Sequence, residues 1–175
     1  MTKYFKPTWM VESIYQLKPE QLQKRHIKGV ITDLDNTLIA WNEPDASEEM
    51  ADWLQMMAQA EIPVVIVSNN SKKRVERVAA DYGIRYQAMA KKPLRHGMRQ
   101  ALKKLALPKE EVVVVGDQLL TDIFTANRLG LQSVLVKPIA SSDGKVTQFN
   151  RRIEQAIFKR VLKGNPELKW GKMID

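Results

Sequence analysis

A chain of 175 residues with 44% hydrophobic content and no cysteine can build a single compact core, but neither a disulfide framework nor a thiolate metal site. No stretch is long and apolar enough to span a bilayer, and no charged leader precedes an apolar run; a cytoplasmic protein is the expectation. The net charge of +8 sits in the flanks: residues 1–27 carry five Lys/Arg against two Asp/Glu, residues 137–175 nine against four, and the stretch between has fourteen of each, whereas a nucleic-acid binder more often spreads its lysines over the folded body.

The expected domain spans residues 1–175, with its core at about 28–137 and basic flanks at 1–27 and 138–175. "KGVITD" reads as a short buried strand. In "SEEMADWLQMMAQA", Met50, Trp53, Leu54 and Met57 recur at helical spacing behind a Ser47 cap. "IPVVIVSNN" is a β-branched run of strand length, and "SKKRVERVAADYG" a helix from a serine to a glycine stop. "IRYQAMA" is a weaker strand, followed by "PLRHGMRQALKKLAL", a helix with Pro93 at its first position. "EEVVVVGD" is the strongest strand signal, "LLTDIFTANRLG" a further helix, and "QSVLVKP" a final strand. Val/Ile-rich strands alternating with helices predict a three-layer α/β fold, mostly parallel, with helices on both faces of the sheet.

In open parallel sheets ligands bind at the carboxyl ends of the strands. There the sequence places Asp33-Leu34-Asp35-Asn36-Thr37, then Ser68-Asn69-Asn70, then Lys91-Lys92-Pro93, then Gly116-Asp117 with Asp122 five residues on. Each has a plainer reading when taken singly: a turn, a helix cap or a solvated lysine pair. Together they place carboxylates, a hydroxyl and an ammonium on one edge. Such a set suits a hard divalent cation and a phosphoryl group. Spacing leaves Lys91 and Lys92 open as the cationic group. His26, His96 and the Met and Trp residues of 47–60 read as surface or packing residues.

"DLDNTL", "VIVSNN", "KKP" and "VVVVGDQLLTD" resemble, in order, the four motifs of the haloacid dehalogenase-like (HAD) phosphohydrolases. "GDQLLTDI…ANRLG" and the "N-R-R-I-E" tail are similar to the YqeG-type branch of subfamily IIIA, itself similar to enzymes acting on phosphatidylglycerophosphate. The resemblance implies a Rossmann-like HAD fold and a Mg²⁺-dependent phosphomonoesterase. In that reading Asp33 is the nucleophile and Asp35 the general acid and base. Asp33, the Asp35 backbone carbonyl and Asp117 hold the metal. Ser68, the Asn69 amide and Lys92, the family's lysine before proline, hold the phosphate. Thr37 supports the first loop and counts with the phosphate-binding residues, and Asp122 orients Lys92 or the metal shell.

The gaps from Leu38 to Ser68 and from Asn70 to Lys92 are too short for a cap domain. An open site able to admit a lipid headgroup is expected, and a small substrate would need a lid from a neighbouring subunit. The tail repeats Phe149, Ile153, Ile157 and Val161 every four residues, with Arg152, Lys159 and Lys163 on another face. This helix, like the N-terminal "YFKPTWMVESIYQL", is open to two readings: docking on the sheet, or peripheral contact with an anionic membrane. The competing function is a receiver-like module that accepts phosphate on Asp33 without turnover. Asp35 argues against it, since receivers lack an acid/base two residues beyond the phosphorylated aspartate.

Overall fold

The computed structural model describes residues 2–140 and 145–174. Six strands form one parallel sheet: β1 (Trp9–Val11), β2 (Gly29–Thr32), β3 (Val64–Val67), β4 (Arg85–Gln87), β5 (Val112–Gly116) and β6 (Gln132–Val136), in the order β1-β6-β5-β2-β3-β4. Six helices accompany them: α1 (Pro19–Lys24), α2 (Glu48–Gln59), α3 (Lys72–Ala79), α4 (Arg95–Leu105), α5 (Phe124–Arg128) and α6 (Lys145–Gly164). Alternation along the strands explains the three layers. Val30, Ile66, Val113 and Val115 face one core with α1, α2 and α3, whereas Ile31, Val65, Val112 and Val114 face the other with α4 and α5. Both faces are therefore apolar, as parallel strands require. The expected α/β architecture is present, and no cap is inserted among the described residues.

Local chemistry sets the helix starts. The Ser47 hydroxyl accepts from the Met50 amide at 3.2 Å and the Ser71 hydroxyl from the Arg74 amide at 3.3 Å. The expected helix over 119–130 opens with a π-helical turn, Leu119–Ile123, that runs into α5 and carries Asp122 into the interior. One expectation is corrected: Pro93 lies outside α4, which begins two residues later at Arg95. Of the tail stripe Val161 is fully buried, while Phe149 and Ile153 are exposed.

Both basic flanks dock on the body. The N-terminal segment contributes β1, paired with β6 from Trp9↔Val134 to Val11↔Val136. The Tyr15 hydroxyl donates to the Leu38 carbonyl in the loop after β2, and burial pushes that hydroxyl up to about 12. Residue Gly171 bridges to Val11 and so covers the outer edge of β1. α6 presses Phe158 and Leu162, with Trp170 beyond it, against Met10, Leu135 and Ile123.

Gly97 lets α4 approach the segment that carries the site lysine. A Cβ there would stand 2.6 Å from the Ala90 Cβ and 2.7 Å from its Cα, and backbone cannot yield cheaply. Gly97→Ala is expected to cost about 1–3 kcal/mol of stability, read from chemical denaturation.

Candidate active site

The strand order reverses at the β2–β5 pair, whose carboxyl ends form the crevice where ligands bind in such sheets. Asp33 follows β2, its amide bonded to the Val115 carbonyl at 3.0 Å. Asp117 follows β5. Gly116 is needed between β5 and Asp117, because a Cβ at that position would lie 2.3 Å from the Asp122 carboxyl. Carboxylate oxygens of Asp33, Asp117 and Asp122 all come within 4.8 Å of one another.

Lys92 settles among them. Its ammonium donates to Asp33 Oδ1 at 2.9 Å, Asp122 Oδ1 at 2.7 Å and the Val67 carbonyl at 2.8 Å. The neighbouring Lys91 is exposed, so geometry singles out Lys92. Asn69 fixes the lysine's backbone from both sides, accepting from the Lys92 amide at 2.6 Å and donating to its carbonyl at 2.9 Å. Ser68 is buried, its hydroxyl accepting from the Asn70 amide at 3.1 Å. Thr37 lies against Asp117, donating to Oδ1 at 3.1 Å, and so supports a carboxylate rather than lining the cavity.

Asp35 stands apart from the triad. Its carboxylate accepts from Arg74 Nη2 at 3.1 Å and from Asn70 Nδ2 at 3.0 Å. The same guanidinium reaches the Pro44 carbonyl at 3.0 Å and thereby pins the loop after β2. Arg74 was not legible as a site residue in the sequence. Neither were Arg151 and Glu154 of α6. Arg151 donates to the Asp117 carbonyl at 2.9 Å and also to its carboxylate. Glu154 accepts from the Leu120 amide at 2.8 Å and from Arg151 at 3.2 Å. The available signal was Arg151-x-x-Glu154, a pair one turn apart within the "N-R-R-I-E" tail.

The electrostatics show what the cluster lacks. Burial raises the Asp33 carboxyl well above the usual range, with Lys92 pulling the other way. Asp117 is pushed up to about 6, by burial first and by Asp122 next, against Arg151. Glu154 is pushed up to about 7, chiefly by burial. Burial depresses Lys92, yet Asp122 and Asp33 outweigh it and hold the ammonium charged. Acids held protonation-prone by desolvation and mutual repulsion are a site short of positive charge. Their hard oxygen donors fit a divalent cation such as magnesium. A cavity of about 710 Å³ opens beside them, lined by Asp33, Asp35, Ser68, Lys92, Trp41 and Leu120.

A family model described as "Mitochondrial PGP phosphatase" matches residues 1–140. The chain is 42% identical over 170 residues to the probable phosphatase YqeG of Bacillus subtilis, covering 97% of this chain and 98% of that protein. It is 25% identical to the chloroplastic and mitochondrial phosphatidylglycerophosphate phosphatase 1 of Arabidopsis thaliana, over 90% of this chain but only 48% of that longer protein. Among solved structures, the cobalt-bound deoxy-D-mannose-octulosonate 8-phosphate phosphatase of Haemophilus influenzae shares the fold at a TM-score of 0.51 and 19% identity, covering 81% of this chain and 94% of that one. The chain thus belongs to the PGP phosphatase family, with the YqeG-type phosphatases, and is a phosphomonoester hydrolase.

Proposed function

We propose that this phosphatase is Mg²⁺-dependent, works through an aspartyl-phosphate on Asp33, and acts on a lipid phosphate of the phosphatidylglycerophosphate kind. The observation that carries this reading is the triad of Asp33, Asp117 and Asp122 around Lys92, with Asp33 and Lys92 lining an uncapped cavity. The matched family and the plant relative support the choice of lipid. None of the relatives described above is a receiver.

Asp33, Asp117 and the Asp35 backbone carbonyl would hold the magnesium, which supplies positive charge against the phosphoryl oxygens. The Asp33 carboxylate attacks phosphorus, and the bond to the leaving oxygen breaks. Lys92 neutralises charge on the equatorial oxygens, while the Ser68 hydroxyl and the Asn69 amide donate to them. Asp35 gives its proton to the leaving oxygen and later takes one from the water that cleaves the acyl phosphate. To reach that oxygen, its carboxyl exchanges the bonds to Arg74 and Asn70 for the substrate. Asp122 positions Lys92.

The test is phosphate release in the presence of magnesium from phosphatidylglycerophosphate in mixed micelles, compared with sugar, nucleotide and phosphopeptide esters. A lipid preference of at least about tenfold in kcat/KM, or ~1.4 kcal/mol, is expected. Equal rates on all esters would remove the lipid assignment and leave the phosphatase. Asp35→Asn is expected to slow turnover by ~10²–10⁴-fold with magnesium affinity retained in calorimetry, because the proposed metal contact is through the backbone. Loss of magnesium binding in that variant would overturn the role given to Asp35.

A further inference from the structure

Among the described residues nine large apolar side chains are exposed, and six of them lie on α6 or on segments that follow strand ends: Trp41, which lines the active-site cavity, with Met89, Leu94, Ile139, Phe149 and Ile153. They come from separate segments of the sheet's carboxyl edge. Trp41 follows β2, Met89 and Leu94 follow β4, Ile139 follows β6, and Phe149 and Ile153 lie on α6. Backbone bonds tie these segments to the site. The Ile139 amide donates to the Asn36 carbonyl at 3.1 Å, and the Trp41 amide to the Asn36 side chain at 3.2 Å. The Met89 amide donates to Asn70 at 3.0 Å, the residue that holds Asp35. Leu94 follows Pro93 and Phe149 precedes Asn150, and both of those neighbours line the cavity.

Water gains nothing from this arrangement. Met89 is 62% exposed, Leu94 59% and Phe149 67%, where a monomer free in solution would fold such side chains inward or scatter them. Exposed cations adjoin them in the chain, Lys91 and Arg95 beside Met89 and Leu94 and Arg152 between Phe149 and Ile153, while Lys72 and Lys73 start α3. The exposed acids of the rim's own segments lie in the loop after Trp41, and Glu76 lies farther along α3. Those of the loop are Glu43 and Asp45, and Asp45 is paired with Arg77 at 2.8 Å. Apolar tips interleaved with cations match an anionic lipid surface, which offers acyl chains just beneath a layer of negative headgroups.

We propose that this rim is the membrane-docking surface of the enzyme: the carboxyl edge of the sheet rests on an anionic bilayer and brings the cavity directly over a phosphomonoester headgroup. The inference rests on the lipid reading of the site and adds to it the orientation of the molecule. It also divides the membrane contact between core loops and the outward side of α6, whose inner side, like the N-terminal segment, is spent on the sheet.

The test uses the full chain and vesicles of phosphatidylcholine with and without phosphatidylglycerol, read by co-sedimentation at low and high salt. Met89→Ser/Leu94→Ser/Phe149→Ser is expected to weaken binding to the anionic vesicles by at least about tenfold. Its turnover of p-nitrophenyl phosphate, which needs no membrane, stays at the level of the unaltered chain. A control, Tyr82→Ser/Met173→Ser, changes exposed apolar residues outside the rim and leaves vesicle binding intact. Vesicle binding by the triple variant equal to that of the unaltered chain, or an equal loss in the control, overturns the proposal. So does an oligomer in analytical ultracentrifugation that the triple variant dissolves, since the rim would then be covered by a second copy. Failure of the phosphatase reading has a separate signature: no hydrolysis of p-nitrophenyl phosphate by the unaltered chain with magnesium.

Discussion

Asp33→Asn is expected to remove turnover almost completely, by ~10⁴-fold or more in kcat, while the protein stays as stable as before or gains stability. The loss follows from chemistry: an amide oxygen does not replace a carboxylate as a nucleophile, and knocking out a nucleophile costs rates of that order. The retained stability follows from the site. Asp33 is buried with Asp117 and Asp122 nearby, and both burial and those neighbours disfavour its charged form. An isosteric neutral group relieves that repulsion, and Lys92 keeps Asp122 and the Val67 carbonyl as partners. Phosphate release and thermal unfolding on the same preparation check both halves. A variant that lost activity by unfolding would show a lowered Tm and would not support the nucleophile role.

Lys92→Met should behave in the opposite way, damaging both stability and rate. The side chain is 3% exposed and carries the only ammonium bonded to Asp33 and Asp122 among the described residues. Removing one partner of a buried ionic group costs roughly 3–5 kcal/mol, because the remaining charges lose their compensation. The rate is expected to fall by ~10²–10³-fold, as for loss of a group that stabilises transition-state charge. The stability cost depends on pH with a definite sign. Without Lys92 the force that pulls Asp33 downward is gone, so its folded pKa rises further above the unfolded value of 3.8. The folded variant then binds protons that the unfolded chain releases, and its stability drops as pH rises. The deficit against the unaltered protein should therefore shrink as pH is lowered from about 8 toward 5, in urea titrations without added metal. A deficit independent of pH would mean that packing, rather than charge, explains the loss.

The parts of the fold visible in the sequence are those with a local cause. Strands β2, β3, β5 and β6 announce themselves because burial on both faces demands unbroken Val/Ile runs. The groups that converge, Asp33, Ser68, Lys92 and Asp117, were legible because each follows a strand end, and a parallel sheet brings such ends to one edge. Contacts without a local cause stayed hidden. β1 is three residues long and follows Pro7, so it has no periodicity to reveal it. Arg74 reaches Asp35 across 39 positions, and Arg151 reaches Asp117 across 34. Side-chain pairs at such separations leave no pattern in one sequence. The four-residue apolar repeat of the tail leaves docking and membrane contact both open for a related reason: the ionic anchors Arg151 and Glu154 hold the start of the helix on the body while Phe149 and Ile153 stay exposed.

The stitch between the two flanks governs the order in which the molecule can assemble. The Gly171 amide bonds to the Met10 carbonyl at 3.0 Å, so this contact closes a loop of nearly the whole polypeptide. Closures of that span are entropically the slowest to form. A nascent chain leaving the ribosome can build the central strands first, but it waits for residue 171 before the outer edge of β1 is sealed. Arg151 follows all six strands in the chain, so Asp117 receives this guanidinium only after the sheet's own segments have been made. Completion of the site would then follow, rather than accompany, the making of the sheet that carries it.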